Sequence, residues 1–280
     1  LSTATAIEKI DAVAIGGFDG MHIGHQHLFD TLGEHGGVVV IETGYANLTP
    51  GTEREHYTRY PIYYYRLEDI RHLDGEAFIA MLCRRFPQLK KIVVGYDFHF
   101  GKDRRYSFRD LNRLFHGEVV VVDEVQLGND SVHSHKIRAK LELGDIQGAN
   151  NFLGHNYTIK GSVVAGQGLG AQQLVPTLNL HVKTFLLPMQ GVYATLSRLN
   201  DEEHYRPSVS FIGHRISTDG SFAVETHIIG EEVVTHNRRV AISFLKYLRH
   251  NKKFDAFSDL KQAIDLDITK AVGVIQHLSL

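Results

Sequence analysis

Two hydrophobic rhythms divide the chain. In the first half, short unbroken apolar runs rich in β-branched residues recur at Val13-Ala-Ile15, Val38-Val-Val-Ile41, Ile92-Val-Val94 and Val119-Val-Val-Val122. Runs without alternation suit strands covered on both faces. Between them lie stretches with helical spacing, His25 to Leu32, Glu76 to Phe86 and Phe108 to Phe115. Strand–helix–strand repetition predicts an α/β domain with an open, mostly parallel sheet, whose ligands sit beyond the carboxyl ends of its strands. Two more helices are predicted, His135 to Leu143 and Asp145 to Leu153. The segment Thr43 to Tyr65 carries neither rhythm and is expected to be a loop over a site.

After Gly154 the pattern alternates. Gly191 to Leu196, Ser208 to Phe211, Phe222 to Ile229 and Val240 to Leu245 read as short half-buried strands with turn residues between them. Such spacing predicts a small antiparallel β-barrel. Phe257 to Ile264 reads as a closing helix. The boundary is placed near Gly154 to Asn156, giving domains 1–155 and 156–280.

Composition narrows the class. The 280 residues are 43% hydrophobic and 22% charged, enough for two ordinary cores. A formal net charge of −2 supplies no global field for nucleic acid or an anionic membrane, so neither is expected as a partner. Cys83 is the one cysteine, so no disulfide can form within the chain and a cytoplasmic location is expected. Its place in Phe78-Ile-Ala-Met-Leu-Cys83 reads as core. No apolar stretch approaches the roughly 20 residues of a membrane span, and no signal-peptide pattern is evident. Oligomeric state is not legible.

The strongest local signal is Gly16-Gly-Phe-Asp-Gly-Met-His-Ile-Gly-His25. It follows a predicted strand and opens a predicted helix. Gly16, Gly20 and Gly24, with Phe18 and Asp19 between, would let backbone turn sharply against a phosphate. A helix N-terminus attracts that anion. His22 and His25 face the same phosphates if the helix begins between them. Each could donate to oxygens whose charge grows in the transition state. Two surface histidines on a glycine-rich turn are the plainer alternative. A zinc site is disfavoured because no Cys or carboxylate cluster completes a ligand set.

A second set lies downstream. Gly161, Gly166 and Gly170 punctuate a stretch whose backbone N–H groups could wrap phosphate. Then Pro176-Thr177-x-Asn179 offers two neutral oxygens suited to Mg²⁺, which keeps waters and phosphates as its other ligands. In Val224-Glu-Thr-His227 strand alternation puts Glu225 and His227 on one face.

These residues resemble, nearly along the whole chain, the bacterial bifunctional riboflavin kinase/FAD synthetase family. The first motif resembles its Phe-Asp-Gly-x-His-x-Gly-His signature, shared with nucleotidyltransferases. Gly95-Tyr-Asp-Phe-His-Phe-Gly101 with Arg104 resembles its flavin-side loop, and Ser134-His-Lys-Ile-Arg138 its Ser-Thr-x-Ile-Arg segment. Pro176-Thr177-x-Asn179 resembles the Pro-Thr-Ala-Asn motif of riboflavin kinases. The resemblance implies a nucleotidyltransferase-type Rossmann-like domain that makes FAD from FMN and ATP, and a barrel that makes FMN from riboflavin and ATP with Mg²⁺. It further implies that His22, His25, Ser134 and Arg138 hold phosphates. Asp97, Phe98, Phe100, Arg104 and Arg249 would face flavin, Thr177 and Asn179 would hold the metal, and Glu225 would be the base. Core packing is the alternative role for Phe98 and Phe100.

The chain departs from the pattern at Gly17, Tyr106, His135, Lys136, Ala171, Phe211 and Ile216, and Ile41-Glu-Thr-Gly-Tyr45 replaces a Phe-x-Pro-x-Pro segment. These departures keep open a chain with one active half, or a flavin-binding module without catalysis. An aminoacyl-tRNA synthetase relative is disfavoured by the near-neutral charge and the missing tRNA-binding portion.

Overall fold

The computed structural model describes residues 7–165, 175–200, 202–217, 219–231 and 239–278. By backbone contact the chain divides into two compact units, Leu1–Ser134 and His135–Leu280.

The first unit is built on five parallel strands, β1 (Ala12–Gly16), β2 (Gly36–Glu42), β3 (Ile62–Arg66), β4 (Lys91–Gly95) and β5 (Glu118–Val122), in the order β3-β2-β1-β4-β5. Both faces are covered, which is why the runs do not alternate. Val13, Ile15, Val39, Ile92 and Val94 point to one face, against Phe78, Ile79, Leu82 and Phe86 of the segment holding α2 (Gly75–Arg85) and Leu111 of α3 (Phe108–Leu114). Ala12, Ala14, Val38, Val40 and Val93 point to the other, against Leu28 and Phe29 of α1 (Ile23–Asp30). β1 pairs with both β2 and β4, and the strand order reverses there. The carboxyl ends of β1 and β4 therefore flank the crevice where this topology holds ligands.

Two expectations for this unit change. Thr43 to Tyr65 is not all loop: it contains a 3₁₀ helix, Gly51–Tyr57, and most of β3, whose tyrosines obscured the apolar run. Cys83 is exposed, not core. The buried positions of α2 are Gly75, Phe78, Ile79 and Leu82, whereas Glu76, Ala80 and Cys83 recur three to four residues apart on the outer face.

The second unit opens with α4 (Ser134–Glu142) and α5 (Ile146–Leu153), then closes six antiparallel strands into a barrel. These are β6 (Thr158–Val164), β7 (Leu178–His181), β8 (Gly191–Leu199), β9 (Arg206–His214), β10 (Phe222–Ile228) and β11 (Arg239–Arg249), in the order β6-β7-β10-β9-β8-β11. Its interior is partly polar. Thr195, Ser197, Ser208, Ser210 and Thr226 are buried and joined by hydroxyl–hydroxyl bonds of 2.7–2.9 Å, so each buried hydroxyl is satisfied. The closing helix, α6 (Phe257–Leu278), runs well beyond Ile264 and packs on β8, β9 and β11. The contact division falls within the first turn of α4, some twenty residues ahead of the boundary read from the change in rhythm.

Candidate active sites

The first site grows from the carboxyl end of β1. Phe18 (φ 48°) and Met21 (φ 46°) hold left-handed backbone on either side of Gly20 (φ 89°). Non-glycine residues in that region carry strain that the surroundings must hold in place. Here Asp19 does the holding: its carboxylate accepts from the backbone N–H groups of Asn47 (3.2 Å), Leu48 (3.0 Å) and Thr49 (2.9 Å). Gly20 N–H donates to Thr49 Oγ1 at 2.7 Å. Ser134 Oγ donates to the Asp19 carbonyl at 2.8 Å. Asp19 and Ser134, expected at phosphate, therefore brace the turn.

Helix α1 begins at Ile23, between the two histidines, with His22 as its N-cap. The two imidazoles stack with centroids 3.5 Å apart. Gly24 makes this possible, since a Cβ there would lie 3.1 Å from the His22 ring. Phe18 is buried, with its ring edge-on to His25 at 5.1 Å, so it seats the histidine. His25 Nδ1 is enclosed and has no hydrogen-bond partner. Burial first, then His22, then Arg54 hold its pKa well below the usual histidine value, so the ring is neutral at pH 7.

Arg54 carried no sequence signal. It is 1% exposed, sits on the 3₁₀ helix, and donates to Glu42 Oε1 (2.6 Å) and the Gly51 carbonyl (3.0 Å). Glu42 belongs to the segment that replaces Phe-x-Pro-x-Pro. Gln26 of α1 donates to the Tyr57 carbonyl at 3.1 Å, which ties the far end of the 3₁₀ helix to the histidine helix. The segment 47–57 is thus the wall of the glycine turn.

Past β4, Asp97 and Arg104 are exposed. Phe98 is half-buried and stacked on Phe100 at 5.6 Å. Phe100 is core, 4% exposed among Phe78 and Tyr106, and offers no free face. Tyr106, one of the departures from the pattern, fills the space above Gly75, where a Cβ would lie 2.5 Å from its ring. Arg138 is half-buried on α4, one turn beyond Ser134 on the same helical face.

The second site lies on neighbouring barrel strands. Asn179 on β7 pairs in register with Glu225 on β10. Both are half-buried, while Val224, Thr226 and Ile228 face the interior, as the alternation predicts. His227 shares the outer face and its Nδ1 lies 2.8 Å from the Pro176 carbonyl, fixing the Pro-Thr segment beside Glu225. Arg215 Nε donates to Glu225 Oε1 at 2.7 Å, and another of its nitrogens contacts Asn179 Oδ1. Gly161 is not in a loop. It lies inside β6, opposite Val240, where a Cβ would come within 3.0 Å of the His181 carbonyl. Gly166, Gly170 and Ala171 lie outside the described residues. Arg249, expected at flavin, has another partner: it forks onto Asp267 of α6 at 2.8–3.0 Å, and Asp267 is 2% exposed. Among the described residues no group of three or more His, Cys, Asp or Glu could hold a metal. The neutral oxygens of Thr177 and Asn179 fit a cation that brings waters and phosphate oxygens with it, and a guanidinium already rests on Asn179.

Comparison with known proteins meets this geometry in both halves. A family model described as riboflavin kinase matches residues 153–275, and one described as FAD synthetase matches residues 63–136. Curated relatives span both. The chain is similar to the bifunctional riboflavin kinase/FMN adenylyltransferases. Proteins of that name from Listeria monocytogenes (26% identical over 94% of this chain and 91% of the relative) and Pseudomonas fluorescens (29%, over 92% and 90%) are similar along nearly their whole length. So is that of Escherichia coli K12 (27%, over 91% and 90%). A solved structure described as a macrolide-efflux protein from Streptococcus pneumoniae aligns with a TM-score of 0.81 at 24% identity, over 92% of both chains, so the two share a fold. No helix among the described residues is long and apolar enough to cross a membrane.

Proposed function

We propose that this protein phosphorylates riboflavin to FMN with ATP and adenylylates FMN to FAD with a second ATP, releasing pyrophosphate. The observation that carries the reading is the pair of motif sets in their expected settings. The histidine pair stands at the carboxyl end of a central parallel strand, and Glu225 stands beside Asn179 on a barrel face.

In the kinase step Glu225 takes the proton of the terminal ribityl hydroxyl as that oxygen attacks the γ-phosphorus, and ADP leaves. Thr177 and Asn179 would hold Mg²⁺, which when bound neutralises phosphate charge. In the adenylyl step a phosphate oxygen of FMN attacks the α-phosphorus of ATP in line with departing pyrophosphate. No covalent intermediate is needed, so the protein positions and neutralises. His22 and His25 donate to the phosphates, Arg138 offers a planar fork, and Phe98 lies near the isoalloxazine with Asp97 and Arg104. Asp19, Phe18 and the glycines shape the turn. The change in rhythm assigns 1–155 to the adenylyltransferase module and 156–280 to the kinase module, whereas backbone contact carries α4 and α5 with the barrel; a cytoplasmic location suits a chain with a single cysteine.

Incubating the purified chain with riboflavin, ATP and Mg²⁺ and separating the products tests this. FMN should rise first and FAD follow, with ADP and pyrophosphate released. FMN without FAD, or FAD only from added FMN, would reduce the reading to one active half.

A further inference from the structure

Arg215 follows directly on β9 and turns its guanidinium onto both groups assigned above to phosphoryl transfer. Two of its nitrogens reach one oxygen of Glu225, Nε at 2.7 Å and Nη2 at 2.6 Å. Nη2 also contacts Asn179 Oδ1. Nη1 donates to Ser221 Oγ at 2.8 Å, and Ser221 Oγ donates to Asp219 at 2.9 Å. The backbone is pinned as well: Arg215 N–H donates to the Ser221 carbonyl at 2.9 Å and its carbonyl accepts from Gly220 at 3.1 Å. Arg215 and Glu225 are only 18% and 20% exposed, so solvent screens the contact incompletely.

This arrangement does not suit turnover. A carboxylate oxygen held by two guanidinium nitrogens has its lone pairs engaged and is not free to accept a hydroxyl proton. A fixed positive charge on Asn179 Oδ1 opposes a divalent cation at the same oxygen. Phosphate oxygens, by contrast, are natural acceptors for the guanidinium fork. We propose that Arg215 gates the phosphoryl-transfer site: its guanidinium rests on the carboxylate of Glu225 and on the Asn179 oxygen assigned above to the cation, and it surrenders those oxygens when riboflavin and the Mg²⁺-nucleotide bind. The gate rests on the reading of Glu225 as base and Asn179 as metal ligand. It makes Arg215 a positioning residue, acting through two others. It couples release of the base to arrival of the phosphates, so that the base is freed only when there is a phosphoryl group to transfer.

Two measurements on the full chain test it. In ¹⁵N spectra of arginine side chains, the Arg215 Nε–H resonance, identified by its loss in Arg215→Lys, should move when riboflavin, ADP and Mg²⁺ are added together. A resonance unmoved at saturating ligand overturns the gate. In Arg215→Met, FMN formation at limiting Mg²⁺ should rise severalfold over the parent and the Mg²⁺ midpoint should fall by about 3- to 10-fold, because no fixed cation competes for Asn179. Adenylylation of added FMN by the same preparation controls for folding. An unchanged midpoint, or FMN formation below the parent at every Mg²⁺ concentration, overturns the gate. Glu225→Gln separates the two failures. Near-normal turnover in that variant removes the base and the gate with it. Loss of turnover there, with an unmoved midpoint in Arg215→Met, overturns the gate alone.

Discussion

His25 meets its neighbours as a neutral ring with one nitrogen enclosed and unpartnered, a costly arrangement for a buried polar atom unless something binds there. Replacing it with alanine should cost FAD formation about 100- to 1000-fold, the usual loss for one transition-state donor. FMN formation should persist, and following both products in one reaction checks this. Burial holds the ring neutral first, then His22, and Arg54 adds to both. Removing a nearby positive charge favours the imidazolium, so Arg54→Met should raise the His25 pKa toward the ordinary histidine range, while Arg54→Lys should leave it low. The titration of the His25 ring proton by NMR reads this directly; an unmoved midpoint in Arg54→Met would mean that burial and His22 alone hold the ring neutral. The same depression acts on stability. The unfolded chain binds a proton at His25 in the ordinary range and the folded chain does not, so this residue destabilises the fold progressively as pH falls through and below that range.

Helices α4 and α5 belong, by their bonds, to the barrel. Met189 N–H donates to the Leu141 carbonyl at 2.9 Å, Asn150 Oδ1 accepts from Tyr157 N–H at 2.8 Å, and Asn150 Nδ2 donates to the Phe244 carbonyl at 2.9 Å. Phe152 and Leu153 are buried at the end of α5. A fragment of residues 135–280 should therefore melt well above one of 156–280, which loses those bonds and uncovers apolar surface worth roughly 1.5–3 kcal/mol per large side chain. Equal melting temperatures would place the working boundary at 156 after all. The four unbroken β-branched runs and the barrel alternation were legible because burial on two faces or one writes itself into periodicity. β3 was hidden because Tyr63, Tyr64 and Tyr65 are all half-buried and amphipathic, so no contrast marks a face. The histidine pair was legible because Gly24 must be small for the rings to stack. Arg54 and Arg215 were not, because each acts on a partner, Glu42 or Glu225, brought close only by the folded backbone.

At the scale of the molecule, one chain carries two phosphate chemistries whose motifs lie some two hundred residues apart, from His22 and His25 to Glu225. The product of one is the substrate of the other, and FMN is small, charged and water-soluble enough to leave the enzyme. The two reactions need not run on the same copy of the chain. His25→Ala keeps the kinase set and Glu225→Gln keeps the histidine pair, so neither variant alone should turn riboflavin into FAD. A general base typically contributes about 100- to 10,000-fold, and its loss in Glu225→Gln should appear mainly in the turnover number, because glutamine still accepts a hydrogen bond from the hydroxyl. Mixing the two variants should restore FAD formation from riboflavin after a lag, during which FMN made by His25→Ala accumulates in solution. The lag should shorten as the concentration of both variants rises, and added FMN should abolish it. If the mixture makes FMN but no FAD, while Glu225→Gln alone adenylylates added FMN, then transfer between the two sites is confined to a single molecule and FMN is not released.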